Sequence, residues 1–110
     1  MRHSLLVFPI FVILLLFQTA FPGITGKIVG TVLDQASGEP LPGVNLVLLN
    51  SYFGASSDYD GNFLILNIPP GEYDLEVTML GYQKLTKKNI KVSVDLTTSM
   101  EIRLTETPIL

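Results

Sequence analysis

From Lys27 onward the chain alternates short apolar runs with clusters of glycine, proline, aspartate and asparagine, and no segment sustains a helical period. The pattern predicts strands over "KIVGTVL" (Lys27 to Leu33), "VNLVLLN" (Val44 to Asn50), Phe63 to Ile68 and Glu72 to Leu80. Further strands carry Ile90, Val92 and Val94, then Met100, Ile102 and Leu104. The Glu72 strand shows its two faces most clearly. Tyr73, Leu75, Val77 and Met79 point one way and Glu72, Asp74, Glu76 and Thr78 the other, the period of two of a half-buried strand. "FLILNI" is apolar on both faces, which predicts a central strand covered on both sides. "SYFGASS" reads as an exit from the second strand, and the segment from Gln83 to Asn89 as a polar connection. Six or seven strands at this spacing predict an all-β, Greek-key-like β-sandwich.

The first quarter of the chain has a different pattern. Arg2 and His3 precede an apolar run from Leu5 to Phe17, and small or polar residues follow in "QTA". This is the order of a helical secretory signal peptide, and the apolar run is shorter than the roughly 18 to 20 residues needed to span a bilayer. A retained anchor is the competing reading. The expected organisation is therefore a signal peptide and short linker over 1–26, a β-sandwich over 27–105 and a tail over 106–110, with the mature start between Phe21 and Lys27. Membrane contact is expected only through the signal before cleavage.

Composition removes several function classes. There is no cysteine, hence no disulfide and no lipoprotein-type acylation site. The net charge is −3, and of the seven basic residues Arg2 falls in the signal, so the remainder is mildly acidic and carries no stripe suited to nucleic-acid phosphates. The lysines Lys84, Lys87, Lys88 and Lys91 form either a patch for an anionic ligand or the charged guard of an exposed strand edge, and the lack of interleaved aromatics favours the guard.

Catalytic chemistry finds no support in the residues. The single histidine, His3, lies in the signal segment, which excludes a zinc site of histidines and carboxylate and leaves no base to activate a serine. No catalytic or cofactor-binding residue is expected, and no cofactor. The one metal question is "DYDGN": Asp58, Asp60 and Asn62 alternate as weak calcium ligands, yet Gly61 stands one ligand too early for an EF-hand loop, and its twelfth position is Pro69. The alternative is a hairpin turn in which Asp-Gly supplies left-handed conformations and Asp58 bonds nearby amides.

"GTVLDQASGEPLPGVNLVLLN" followed by "SSDYDGNFLILNIPPGEYDLEVTMLGY" resembles the carboxypeptidase regulatory-like domain, a transthyretin-like (prealbumin-like) seven-stranded β-sandwich. The matching landmarks are Gly30, Val32, Asp34, Gly38, Pro40, Leu41, Gly43, Val44, Asp58, Asp60, Gly61, Phe63, Gly71, Tyr73, Gly81 and Tyr82, from one end of the presumed mature domain to the other. Gly38, Gly43, Gly61 and Gly71 fall at reversals, Phe63 and Tyr73 bring large rings to the core, and Gly81 with Tyr82 reads as a bend that sends the chain across the sandwich.

The resemblance implies an accessory module of the kind found beside metallocarboxypeptidase catalytic domains or at the N-terminus of TonB-dependent outer-membrane receptors. Its implied setting is the periplasm or outer membrane of a Gram-negative bacterium, or secretion. The implied role is non-catalytic contact with envelope or outer-membrane proteins during nutrient uptake, by a complete module or a piece of a receptor. Contact surfaces would be a sheet edge and the pair Tyr52 and Phe53, whose alternative is plain packing. A carbohydrate-binding module is the second reading, with Tyr52, Tyr59 and Tyr82 as its aromatics.

Overall fold

A computed structural model describes residues 24–109. The signal-peptide expectation over 1–26 falls almost wholly outside them. Seven strands are formed: β1 (Gly26–Asp34), β2 (Asn45–Leu48), β3 (Gly54–Ser56), β4 (Asn62–Ile68), β5 (Gly71–Thr78), β6 (Leu85–Val92) and β7 (Thr97–Leu104). They make a three-stranded sheet of order β4-β1-β7 and a four-stranded sheet of order β3-β2-β5-β6. The all-β sandwich expected from the pattern, with the seven strands that the family resemblance implies, is thus the fold.

Between the sheets lies one core. Ile28 and Val32 of β1, Leu46 and Leu48 of β2, Leu75 and Val77 of β5 and Ile102 of β7 are wholly buried. Phe53, Tyr73, Met79, Leu85 and Met100 pack against it from the rim. Because Ile28 and Val32 point inward, Gly30 between them does too, and Phe63 pairs opposite it with its ring over the missing side chain. A methyl group there would come within 2.7 Å of that ring and 2.5 Å of the Met100 carbonyl oxygen.

Several expectations are corrected. "FLILNI" is an edge strand and not a central one: β4 ends its sheet, and Leu64 and Leu66 are 48% and 51% exposed. The central strand of that sheet is β1, bonded to β4 on one side and, in parallel, to β7 on the other. "GAS" forms a short strand beside β2 where an irregular exit was expected. The polar segment from Leu85 is the first half of β6, paired with β5, while Val94 lies beyond the strand and is exposed. Backbone pairing to β5 stabilises that half although its side chains bury little, so side-chain period alone leaves it invisible. Gly81 and Tyr82 do not send the chain across the sandwich, because β5 and β6 are neighbours in one sheet; the bend instead pairs with the tail, Tyr82 opposite Glu106.

The direction of β1 and β7 sets two poles. Both run the same way, Lys27 beside Thr97 and Asp34 beside Leu104, so the chain enters at one pole and leaves at the other.

Candidate functional site

The "DYDGN" segment joins β3 of one sheet to β4 of the other, so it is a corner between sheets and not a hairpin within one. Gly61 N–H donates to the Asp58 carbonyl at 2.9 Å, closing a tight turn, and Asp58 N–H donates to the Asn62 carbonyl at 2.9 Å. Only Gly61 of the Asp-Gly pair takes a left-handed conformation, φ 76°; Asp60 does not. A side chain at Gly61 would also lie 2.6 Å from the Val32 carbonyl oxygen. The Asp58 carboxylate accepts the amides of Asp60 at 3.0 Å and Asn62 at 2.9 Å through one oxygen. Asn62 Oδ1 turns instead to the Thr31 hydroxyl, 2.9 Å away. Asp58 and Asn62 thus direct oxygens at the chain's own donors. Among the described residues no group of three or more histidine, cysteine or acidic side chains is placed to hold a metal ion.

A second cluster joins Asp34, Tyr82 and Glu106, which the sequence reading did not connect. Asp34, at the end of β1, is buried and accepts the amides of Ala36 at 2.9 Å and Ser37 at 2.8 Å on one oxygen. Its other oxygen accepts the Tyr82 hydroxyl at 2.7 Å, and Glu106 stands 3.5 Å from the same hydroxyl. The Tyr82 hydrogen bond, with the Ser37 amide next, holds the Asp34 carboxyl below its ordinary range. Conversely, the bond to Asp34, then burial and the two nearby carboxylates, push the Tyr82 phenol up to about 12. The result ties the end of β1, the β5–β6 bend and the tail into one corner. A shallow depression of about 320 Å³ opens beside it, lined by Asp34, Ser37, Thr105 and Glu106. Ser37 and Thr105 bring hydroxyls to it with no histidine or cysteine among the described residues to activate them, and the Asp34 carboxylate is engaged with the chain's own donors.

Among the described residues Ser57 is the other buried polar residue. Its hydroxyl donates to the Leu41 carbonyl at 2.6 Å and accepts the Val44 amide at 2.8 Å, clamping the loop before β2 to the strand-to-strand corner.

The exposed aromatics do not converge. Tyr52 and Tyr59 are fully exposed. Tyr52 follows β2, whose Leu48 end pairs with Leu75 and runs on past Asp74 toward the start of β5, whereas Tyr82 follows the far end of β5. Tyr59 follows β3, whose Ser56 pairs with Asn45, the residue opposite Thr78, so it lies at the Tyr82 pole. Tyr52 therefore stands at the opposite pole from Tyr59 and Tyr82. Phe53 is separated from Tyr52 too, because its ring packs on the core. The lysines Lys87, Lys88 and Lys91 lie exposed along β6, the outer strand of the four-stranded sheet. That position suits the edge-guard reading.

A model of the CarboxypepD_reg-like domain matches residues 28–110. The chain belongs to this family. It is 30% identical over 95 residues to TonB-dependent receptor P3 of Formosa agariphila, an alignment covering 86% of this chain and 9% of the receptor. It is 32% identical over 79 residues to TonB-dependent receptor P39 of the same organism, covering 70% of this chain and 7% of that protein. The chain thus spans less than a tenth of the length of these receptors.

Among solved structures the fold is similar to a chain of a type II cohesin-X-dockerin complex from Acetivibrio cellulolyticus, with TM-score 0.62, 19% identity and coverage of 74% of this chain and 58% of that one. It is also similar to BcpA, the major pilin subunit of Bacillus cereus, with TM-score 0.57, 25% identity and coverage of 76% and 30%. The family's name denotes a type of domain and no peptidase activity, and these relatives and fold neighbours are receptors, a pilin and a chain of a cohesin-X-dockerin complex.

Proposed function

We propose that this CarboxypepD_reg-like domain is a non-catalytic, exported interaction module, the accessory domain of a TonB-dependent outer-membrane receptor or a piece of one, contacting envelope proteins during nutrient uptake. The observation that carries the reading is the receptor alignment: most of this chain corresponds to a single domain-sized portion of a far longer receptor. The parallel β1 and β7 suit that role, since a module entered at one pole and left at the other can be threaded in series with further segments.

The carbohydrate reading is weaker, because Tyr52 stands at the opposite pole from Tyr59 and Tyr82 and offers no shared stacking platform. Expression of the full chain with a C-terminal epitope in a Gram-negative host tests the proposal by fractionation, N-terminal mass and envelope cross-linking. The expected result is a processed chain starting between Phe21 and Lys27, found in the envelope and cross-linked to outer-membrane or periplasmic protein. An unprocessed cytoplasmic chain overturns the export reading. Saturable binding to a polysaccharide in calorimetry, abolished by Tyr59→Ala, replaces the protein-contact reading with the other.

A further inference from the structure

The edges of the two sheets are not guarded alike. β6 carries Lys87, Lys88 and Lys91, β7 carries Glu101 and Arg103, and β3 is only three residues long. β4, "NFLILNI", has no charge and no proline, although it is the outer strand of its sheet. Natural proteins normally blunt such an edge; here Asp58 caps it at Asn62 and a bulge interrupts it at Asn67, and the stretch of Leu64 to Leu66 between them is left open as a pairing surface.

The backbone phase of β4 shows which groups are free. Val32 N–H bonds the Gly61 carbonyl, which makes that opposed pair a bonded one. Bonded pairs recur every second residue, so Phe63 and Ile65 direct their amides and carbonyls at β1, opposite Gly30 and Ile28. Asn62, Leu64 and Leu66 direct theirs outward. Asn62 shows this directly, because its amide and carbonyl are taken by Asp58 on the outer side. The outward backbone groups of Leu64 and Leu66 bond to no described residue. The half-exposed side chains of the same two leucines stand on the outer face of the sheet, with Val29 across the ladder from Leu64.

We propose that this edge pairs with the β4 edge of a second copy of the chain, antiparallel about a two-fold axis through Ile65. In that register Leu64 of one copy opposes Leu66 of the other, and each pair exchanges both backbone bonds. Every free outward group of the two leucines is then satisfied. Shifting the register by one step in either direction on the same bonding phase centres Leu64 or Leu66 on itself. That sets the remaining leucine against Asn62, already engaged by Asp58, or against Ile68, beyond the bulge at Asn67 where φ is 58°. Around the axis "LIL" is itself symmetric, with Leu64 and Leu66 flanking Ile65, so the same side chain stands on both sides of each bonded pair.

The leucines of both copies form one apolar cluster on the continuous outer face, and the uncharged edge brings no repulsion of its own. The short stretch of strand falls below the roughly 1,200 Å² of a standard interface, so the dimer is a weak one that forms at high protein concentration. A two-fold contact also consumes both edges, so assembly stops at two copies.

Sedimentation of the full-length chain over a concentration series, with amide hydrogen exchange at each end of the series, tests the proposal. Dimer is expected to accumulate with concentration, with exchange slowing at Leu64 and Leu66 and unchanged at Phe63 and Ile65, which are already bonded to β1. Leu64→Lys and Leu66→Lys are each expected to keep the monomer's circular dichroism and melting temperature and to abolish the dimer. A monomer up to millimolar concentration, a dimer indifferent to both lysine variants, protection located elsewhere, or growth beyond two copies each overturns the proposal.

Discussion

Replacing Ser57 with alanine removes one oxygen atom and two buried hydrogen bonds. The Leu41 carbonyl and the Val44 amide both point at Oγ, at 2.6 and 2.8 Å, and Val44 is wholly inaccessible to solvent. A buried polar group left without a partner costs roughly 1–3 kcal/mol. Two such groups, with the Leu41 carbonyl nearer the rim, give about 3 kcal/mol for Ser57→Ala. In a domain of this size that corresponds to a fall in Tm of roughly 12–24 °C.

Ser51→Ala is the matched control, because Ser51 makes the same pair of bonds, donating to the Leu48 carbonyl at 2.7 Å and accepting the Phe53 amide at 3.1 Å, at a half-buried site. Water can replace that hydroxyl, so the expected loss is below about 1 kcal/mol. Urea unfolding followed by far-ultraviolet circular dichroism measures both, the chain having no tryptophan to report by fluorescence. Equal losses in the two variants, or a Ser57→Ala loss under about 1 kcal/mol, would refute the argument that burial of the unsatisfied groups sets the magnitude.

Three further outcomes follow from the same geometry. The Asp34–Tyr82 bond contributes stability across intermediate pH that is lost towards both ends of the scale. Because the Asp34 carboxyl is lowered in the folded state, its contribution is full above its ordinary value of 3.8 and is lost as pH falls through the lowered one. Because the Tyr82 phenol is raised, its contribution is full below its ordinary value of 10.0 and is lost as pH rises through about 12. Tyr82→Phe is expected to abolish the alkaline limb and shrink the acid one, leaving the part due to the Ala36 and Ser37 amides; an unchanged stability profile contradicts the assignment. Gly61→Ala combines a left-handed backbone with a contact at 2.6 Å and is expected to cost about 2–4 kcal/mol, against about 1 kcal/mol for Gly38→Ala, whose φ is 75° but whose side-chain space is open. Equal denaturation midpoints for the two would show that the close approach to Val32 is relieved at no cost. Calcium at millimolar concentration is expected to leave the Tm of the chain unchanged, since Asp58 and Asn62 spend oxygens on internal donors; a rise that Asp60→Ala removes would restore the metal reading.

Face burial was legible in the sequence to a fine grain. Leu75 and Val77, Ile90 and Val92, and Ile102 and Leu104 all point into the core as the alternation indicates, because side-chain period reports directly which face meets water. Lateral position was not legible. "FLILNI" has the composition of a central strand and lies at an edge, because two outward leucines look the same in sequence whether another strand, another molecule or solvent covers them. Backbone pairing also hid β3 and the first half of β6, which hold their places by ladder bonds more than by side-chain burial. The corner chemistry was partly visible: Asp58 and Gly61 mark their turn locally. Asp34 and Tyr82, by contrast, meet across 48 positions of chain, and no local signal pairs them.

The amino-acid order by itself determined the all-β class, the inward face of the main strands and the turns at Gly38, Gly43 and Gly61. All of these depend on residues within a few positions of one another. Tertiary structure alone decided that β1 and β7 run parallel, that Tyr52 and Tyr59 stand at opposite poles, that Asp34 closes a corner with Tyr82 and Glu106, and that β4 is left with an open edge. Those outcomes depend on which sheet each strand joins, a choice made by long-range packing of the core and by backbone bonds that carry no mark of their partner in the sequence.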